Sequence, residues 1–208
     1  MNKWFVGLTA LVFGLALWPL SQPGAGCFWE LGNGLGFAAL VAVLYLCLDT
    51  RRGGKVRAHQ VLGYVATALL VAHVLWFLLG DATVLEYAQP GAPWSMWSAW
   101  LALLLLLVLV LTSLPGLRPS NYLDHPAFRR WHRWLTMLVL VAAGHHIIDS
   151  AFYLGSPVQW ILLAALALAA LWLPLQRVGG IRVIHPLATL ALFTLAIALF
   201  TAAKGSAL

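Results

Sequence analysis

Histidine is the residue type through which this sequence can do chemistry. Of seven histidines, five fall in two groups on long apolar stretches: His59 and His73 in one, His132, His145 and His146 in the other. An imidazole can ligate a metal through one ring nitrogen or pass a proton, and an ionisable side chain inside a hydrophobic helix is costly enough to imply a role. His73 lies 14 residues after His59, and His145 and His146 lie 13 and 14 after His132. At about 1.5 Å per residue each offset spans roughly 20 Å of helix. If the two helices run the same way, the histidines meet at two matching depths. Two imidazoles on facing helices can clamp an iron porphyrin, one nitrogen of each on the iron, so two such pairs predict two stacked b-type hemes. With both axial positions filled by protein, the iron has no open site, which favours outer-sphere electron transfer over oxygen binding.

Helical phase tests the pairing. Fourteen residues at about 100° each fall some 40° short of four turns, so His59 and His73 share a face. Thirteen fall about 140° short, which takes His145 off the face of His132, whereas His146 stays nearly on it. Phase alone prefers His146; a bend or π-bulge near Gly144 would change that.

The elements that must position these residues follow from composition. Of 208 residues, 62% are hydrophobic and 9% charged, far below the roughly 25% charged share of soluble domains. Stretches near 4–20, 32–49, 58–80, 97–114, 130–150, 157–175 and 187–203 approach the about 20 apolar residues a membrane-spanning helix needs. The expected fold is all-α: a polytopic transmembrane bundle of six to seven spans with a heme-binding four-helix core. Its expected organisation is a single domain over 1–208, with the heme core at about 30–175 and an extra C-terminal span at about 187–203. Short loops exclude a soluble flavin or nucleotide domain within these residues. No Walker motif, glycine-rich dinucleotide fingerprint, Cys-x-x-Cys pair or long repeat is found.

The net charge of +6 encodes topology rather than nucleic-acid binding. Lys3, the run Arg51, Arg52, Lys55 and Arg57, the set Arg118, Arg129, Arg130 and Arg133, and the pair Arg177 and Arg182 all fall on one side. The alternate loops carry Glu30, Asp81, Glu86 and Asp149 without Lys or Arg. The positive-inside rule then puts the N-terminus in the cytoplasm. Arg57, Arg129, Arg130 and Arg133, beside the inner histidines, are candidates to neutralise heme propionates as well as topology signals. Trp94, Trp97 and Trp100, with Trp131 and Trp134, read as interfacial belts. Cys27 falls in the loop after the first span and Cys47 near the cytoplasmic end of the second, about 20 residues of largely helical rise apart, and they are not expected to pair. The residues up to Cys27 have a signal-peptide character, with Gly24, Ala25 and Gly26 before the cysteine, but a retained first span is the better reading. His125 and His185, each before a proline, are read as interfacial.

A His-x13-His helix, followed after one intervening span by a His-x12-His helix that opens with the basic aromatic segment Phe128 to Trp134, resembles the ferric reductase-like transmembrane domain. That family includes NADPH oxidases, ferric reductases and the heme-binding subunit of periplasmic methionine sulfoxide reductase, and the resemblance covers roughly residues 30–175. It implies two heme b groups with His59 paired to His132 and His73 to His145, the x12 spacing selecting His145 over His146. It further implies electron flow from a cytosolic flavoprotein donor to an extracytoplasmic acceptor, whether protein, metal chelate or oxygen. The implied setting is a bacterial inner membrane, and any flavin would come from a partner. The chain departs from the oxidase pattern in lacking flavin- and nicotinamide-binding domains. Two other readings compete: a metal or proton transporter built on His145, His146 and Asp149, and a cofactor-free anchor of a larger complex.

Overall fold

The computed structural model describes residues 3–18, 25–48, 56–114, 125–172 and 186–205. These form seven α-helices and no strand: α1 Lys3–Leu17, α2 Cys27–Leu48, α3 Val56–Gly80, α4 Trp94–Leu111, α5 His125–Ser150, α6 Pro157–Trp172 and α7 Pro186–Gly205. A 3₁₀ helix, Ala82–Ala88, follows α3. The basic loop residues Arg51, Arg52, Lys55, Arg118, Arg177 and Arg182, together with His185, lie outside the described residues.

Among the described residues, four helices are long and apolar enough to cross a membrane: α2, α3 over Arg57–Gly80, α4, and α7 over Leu187–Gly205. The chain is an integral membrane protein. At 15 and 16 residues, α1 and α6 rise about 23 Å, short of a bilayer core of about 30 Å. Although α5 has 26 residues, it carries the three arginines and the histidines, which lower its hydropathy.

The central helix is α2, which packs against α3, α7, α1 and α6. Its buried face, Phe37, Val41, Leu44 and Tyr45, meets Phe5 and Phe13 of α1 and Phe193 and Phe200 of α7. These rings meet edge-on or tilted, as aromatic quadrupoles prefer: Phe5 on Tyr45 at 5.0 Å, Phe13 on Phe200 at 5.8 Å, Phe37 on Phe200 at 5.7 Å. A second layer is made by α3, α4 and α5, in which both α3 and α5 pack on α4. His59 and His73 of α3 meet His132 and His146 of α5 across this layer.

Two features of these helices matter for the site. Helix α2 begins at Cys27, five residues before the expected 32, and so takes in Glu30. The sequence places that residue in a loop; it is fully buried in the first turn of α2. Helix α5 runs unbroken through Gly144 as regular α-helix, with no π-bulge. It ends at Ala151, whose φ of 54° is the left-handed conformation that commonly closes a helix, here on a residue other than the usual glycine.

Helix α3 closes tightly on α2. A Cβ at Gly36 would lie 3.0 Å from Nδ1 and 3.1 Å from Cε1 of His73, and one at Gly32 would overlap the ring of Phe77. Small residues four apart let two helices in a membrane approach closely, and here that approach seats His73 against the α2 backbone.

Candidate heme site

The structure brings four of the five core histidines together in two pairs. The first is His59 of α3 and His132 of α5, whose ring centroids stand 6.1 Å apart at an interplanar angle of 51°. With a metal–nitrogen bond of about 2 Å and ring nitrogens about 1.1 Å from the centroid, two imidazoles sharing one metal stand about 6 Å apart, centre to centre. The observed separation fits. Nδ1 of His132 is buried without a hydrogen-bond partner, and leaving a buried polar atom unsatisfied costs about 1–3 kcal/mol. A group that engaged that nitrogen would relieve the cost. Phe128, one turn earlier on α5, lies against the His132 ring at 5.7 Å.

The second pair is His73 of α3 and His146 of α5, which line one cavity with Gly36, Phe37, Leu70, Leu106, Val139 and Leu140. Both rings are oriented in the same way. Nδ1 of His73 donates to the Gly32 carbonyl at 2.7 Å, and Nδ1 of His146 donates to the Ser95 carbonyl at 3.1 Å. A carbonyl can only accept, so each proton sits on Nδ1 and each Nε2 keeps its lone pair. A bond of this kind, from the nitrogen opposite a metal, is what holds the tautomer of a histidine that ligates one and makes it more basic. Since α5 is regular and His146 follows His132 by 14 residues, the same interval as His59 to His73, both helices present their histidines in matching phase.

His145 is not brought to His73. It is exposed, and its Nδ1 pairs with the Ser98 hydroxyl at 2.9 Å, a hydroxyl that itself donates to the Ser95 carbonyl at 2.8 Å. The spacing taken from the family resemblance selected His145; the unbroken helix puts His146 in the cavity and His145 on another face. Nor do His145, His146 and Asp149 converge on one point. Asp149 is exposed, and no group of three or more His, Cys, Asp or Glu side chains able to hold a metal ion occurs among the described residues.

The arginines divide. Arg57 and Arg130 are exposed at the His59–His132 end of their helices. Arg133 is exposed too, but its guanidinium donates to the Leu171 carbonyl at 3.0 Å, so it caps the C-terminal end of α6, where a cation also complements the helix dipole. The side chain of His125 lies outside the described residues. Cys27 and Cys47 are free thiols, as expected.

One polar group in the cavity wall was not anticipated. Tyr153, in the segment joining α5 to α6, donates its hydroxyl to Oε2 of Glu30 at 2.9 Å and accepts from the Asn33 amide at 2.8 Å. Oε1 of Glu30 accepts the Ala25 N–H at 2.9 Å. Burial, reinforced by the neighbouring Glu30 carboxylate, pushes the Tyr153 phenol above its usual range, so it stays a donor. The sequence signal was available in Glu30 and Asn33, three apart on an otherwise apolar helix, but their partner lies 120 or more residues away. Across the mouth, Asp81 caps the 3₁₀ helix; the Thr83 hydroxyl and N–H hold its carboxyl below the ordinary range.

No curated protein and no solved structure matches the chain. A family model described as ferric reductase like transmembrane component matches residues 35–143. The match includes His59, His73 and His132 and ends just before His145 and His146, so the choice between those two rests on geometry. Covering more than half of the sequence and four of its helices in whole or part, this match shows that the chain belongs to the ferric reductase-like transmembrane family.

Proposed function

We propose that the chain carries electrons across the bilayer through two b-type hemes, held by His59 with His132 and by His73 with His146. The observation that carries this reading is the 6.1 Å separation of the His59 and His132 rings; further along the same two helices His73 and His146 line one cavity, each with its Nδ1 bonded to a backbone carbonyl. Membership of a family whose members generally bind heme supports it.

When bound, each heme supplies a one-electron carrier whose iron is saturated by protein ligands. The residues do the rest. Carbonyls of Gly32 and Ser95 hold the second pair of rings in register, and the apolar wall of Phe37, Leu70, Val139 and Leu140 keeps water away. Arg57 and Arg130 stand where propionates of the first heme would need cations. Arg133 contributes less, being engaged with Leu171.

In this reading residues 1–208 are a single transmembrane domain whose helices make six to seven crossings, with the N-terminus cytoplasmic in a bacterial inner membrane. A cytosolic flavoprotein delivers electrons to the His59–His132 side. A protein, metal chelate or oxygen takes them from the His73–His146 side.

Vesicles that enclose ferricyanide and face external dithionite test the function. Protein-containing vesicles are expected to reduce the enclosed ferricyanide faster than empty ones, and His59→Ala to abolish the difference. Heme-loaded vesicles no faster than empty ones would overturn the reading.

A further inference from the structure

Glu30 is a buried carboxyl for which electron transfer as described above has no use. It is fully buried, a state in which a lone charge is costly. Two bonds tie it to opposite surroundings. Through Tyr153 it reaches the cavity that His73 and His146 line, and through the Ala25 N–H it reaches an exposed stretch of backbone. On α2 it stands two residues from Gly32, whose carbonyl receives the His73 Nδ1–H.

Resting on the proposed function, we propose that Glu30 is a proton-accepting residue coupled to electron arrival in this cavity. The physical requirement is charge compensation: an added electron in a low-dielectric site raises the energy of any nearby anion, and protonating that anion removes the repulsion. The balance is one electron and one proton. The electron arrives by way of the His59–His132 side. The proton comes from water at the Ala25 side, and one O–H bond forms on the Glu30 carboxylate. The bond to Tyr153 can then reverse, the carboxylic acid donating to a phenol oxygen that still accepts from Asn33; a hydroxyl has the lone pairs for both. When the electron leaves, the O–H bond breaks and the proton returns to water.

Other titratable groups stand at this end of the bundle: His146 in the cavity, His145 and Asp149 in the last turns of α5, and Asp81, Glu86 and Tyr87 in the segment after α3, Tyr87 also lining the cavity. The segment joining α5 to α6 offers Tyr153. Helix α3 offers His73, through Gly32. Helix α7 offers Lys204, buried beside Gly205, which packs on Cys27. On α2 itself the remaining group is Cys27.

The test is potentiometric titration of the heme-loaded protein in lipid nanodiscs at a series of pH values, with the second heme identified as the one lost in His73→Ala. Its reduction equilibrium is expected to change up to tenfold per pH unit, about 59 mV for one electron, while the first heme changes little. Glu30→Gln is expected to flatten that dependence. Tyr153→Phe, which removes the hydrogen bond but keeps the carboxyl, is expected to retain it with a shifted midpoint. Should Glu30→Gln fail to fold, redox-difference infrared spectra of the wild type give the same answer: a carboxylic-acid C=O band is expected on reduction, moving in D2O. A pH-independent second heme, an unaltered slope in Glu30→Gln or no carboxyl band would overturn the inference while leaving the conduit standing. Wild-type protein that binds no heme overturns both.

Discussion

His73 and His146 engage the same atom, Nδ1, with backbone carbonyls of two different helices, Gly32 on α2 and Ser95 on α4. Each ring is thus held by a helix other than its own, and each leaves Nε2 for the cavity. Two rings oriented in advance lose less freedom when they ligate a common metal, which is the purpose of such bonds.

This relationship predicts the effect of crowding α2. The methyl group of Gly36→Ala would meet the His73 ring at 3.0–3.1 Å, so the ring must shift by a few tenths of an ångström. Overpacking of this kind costs about 1–3 kcal/mol. The paramagnetic resonance signal of the second heme is expected to shift while that of the first is unchanged. Gly144→Ala, with nothing within 4 Å of the added carbon, is the control and is expected to alter neither.

Arg133 separates charge compensation from helix capping. Losing its bond to the Leu171 carbonyl in Arg133→Ala is expected to destabilise the α5–α6 packing by about 0.5–1.5 kcal/mol, read as a lower thermal midpoint. The first heme's potential should barely move. Arg57→Ala and Arg130→Ala are expected to show the reverse pattern, a lowered potential with little thermal change. A large potential shift in Arg133→Ala alone would contradict this division.

Ala151 closes α5 with a φ of 54°, a conformation that costs an L-residue roughly 1–2 kcal/mol. Ala151→Gly relieves that strain, offset in part by the greater freedom of glycine in the unfolded chain. A rise in thermal midpoint is expected, with both hemes retained; a fall would mean that the alanine side chain contributes packing that outweighs the strain.

Much of this architecture was legible because hydrophobic runs mark helices and histidine spacing marks depth. The seven runs found in the sequence correspond to seven helices among the described residues, with the ends of α2, α4 and α5 shifted by several positions. The pairing of His59 with His132 could be read from depth alone. Between His145 and His146, helical phase points to His146, the one that lines the cavity, whereas the family spacing points to His145, and α5 has no irregularity that would turn a thirteen-residue interval onto that side. The buried Glu30 was illegible for another reason. A carboxylate beside a loop normally seeks water, and the bond that helps the Ala25 N–H make its burial tolerable comes from Tyr153, 123 residues further along the chain. The 3₁₀ helix was missed because seven residues with a local Asp81 cap carry no long-range period.

The central claim is the ligand assignment, and the heme-to-protein ratio with oxidised and reduced spectra of purified protein tests it most directly. Wild type is expected to hold two low-spin hemes, and His59→Ala, His73→Ala, His132→Ala and His146→Ala each to lose one or convert it to high spin. His145→Ala is expected to keep both, because its ring is bonded to Ser98 on an exposed face. Loss of a heme in His145→Ala with both retained in His146→Ala would contradict the assignment, and a heme-free wild type expressed with ample heme would contradict the account as a whole.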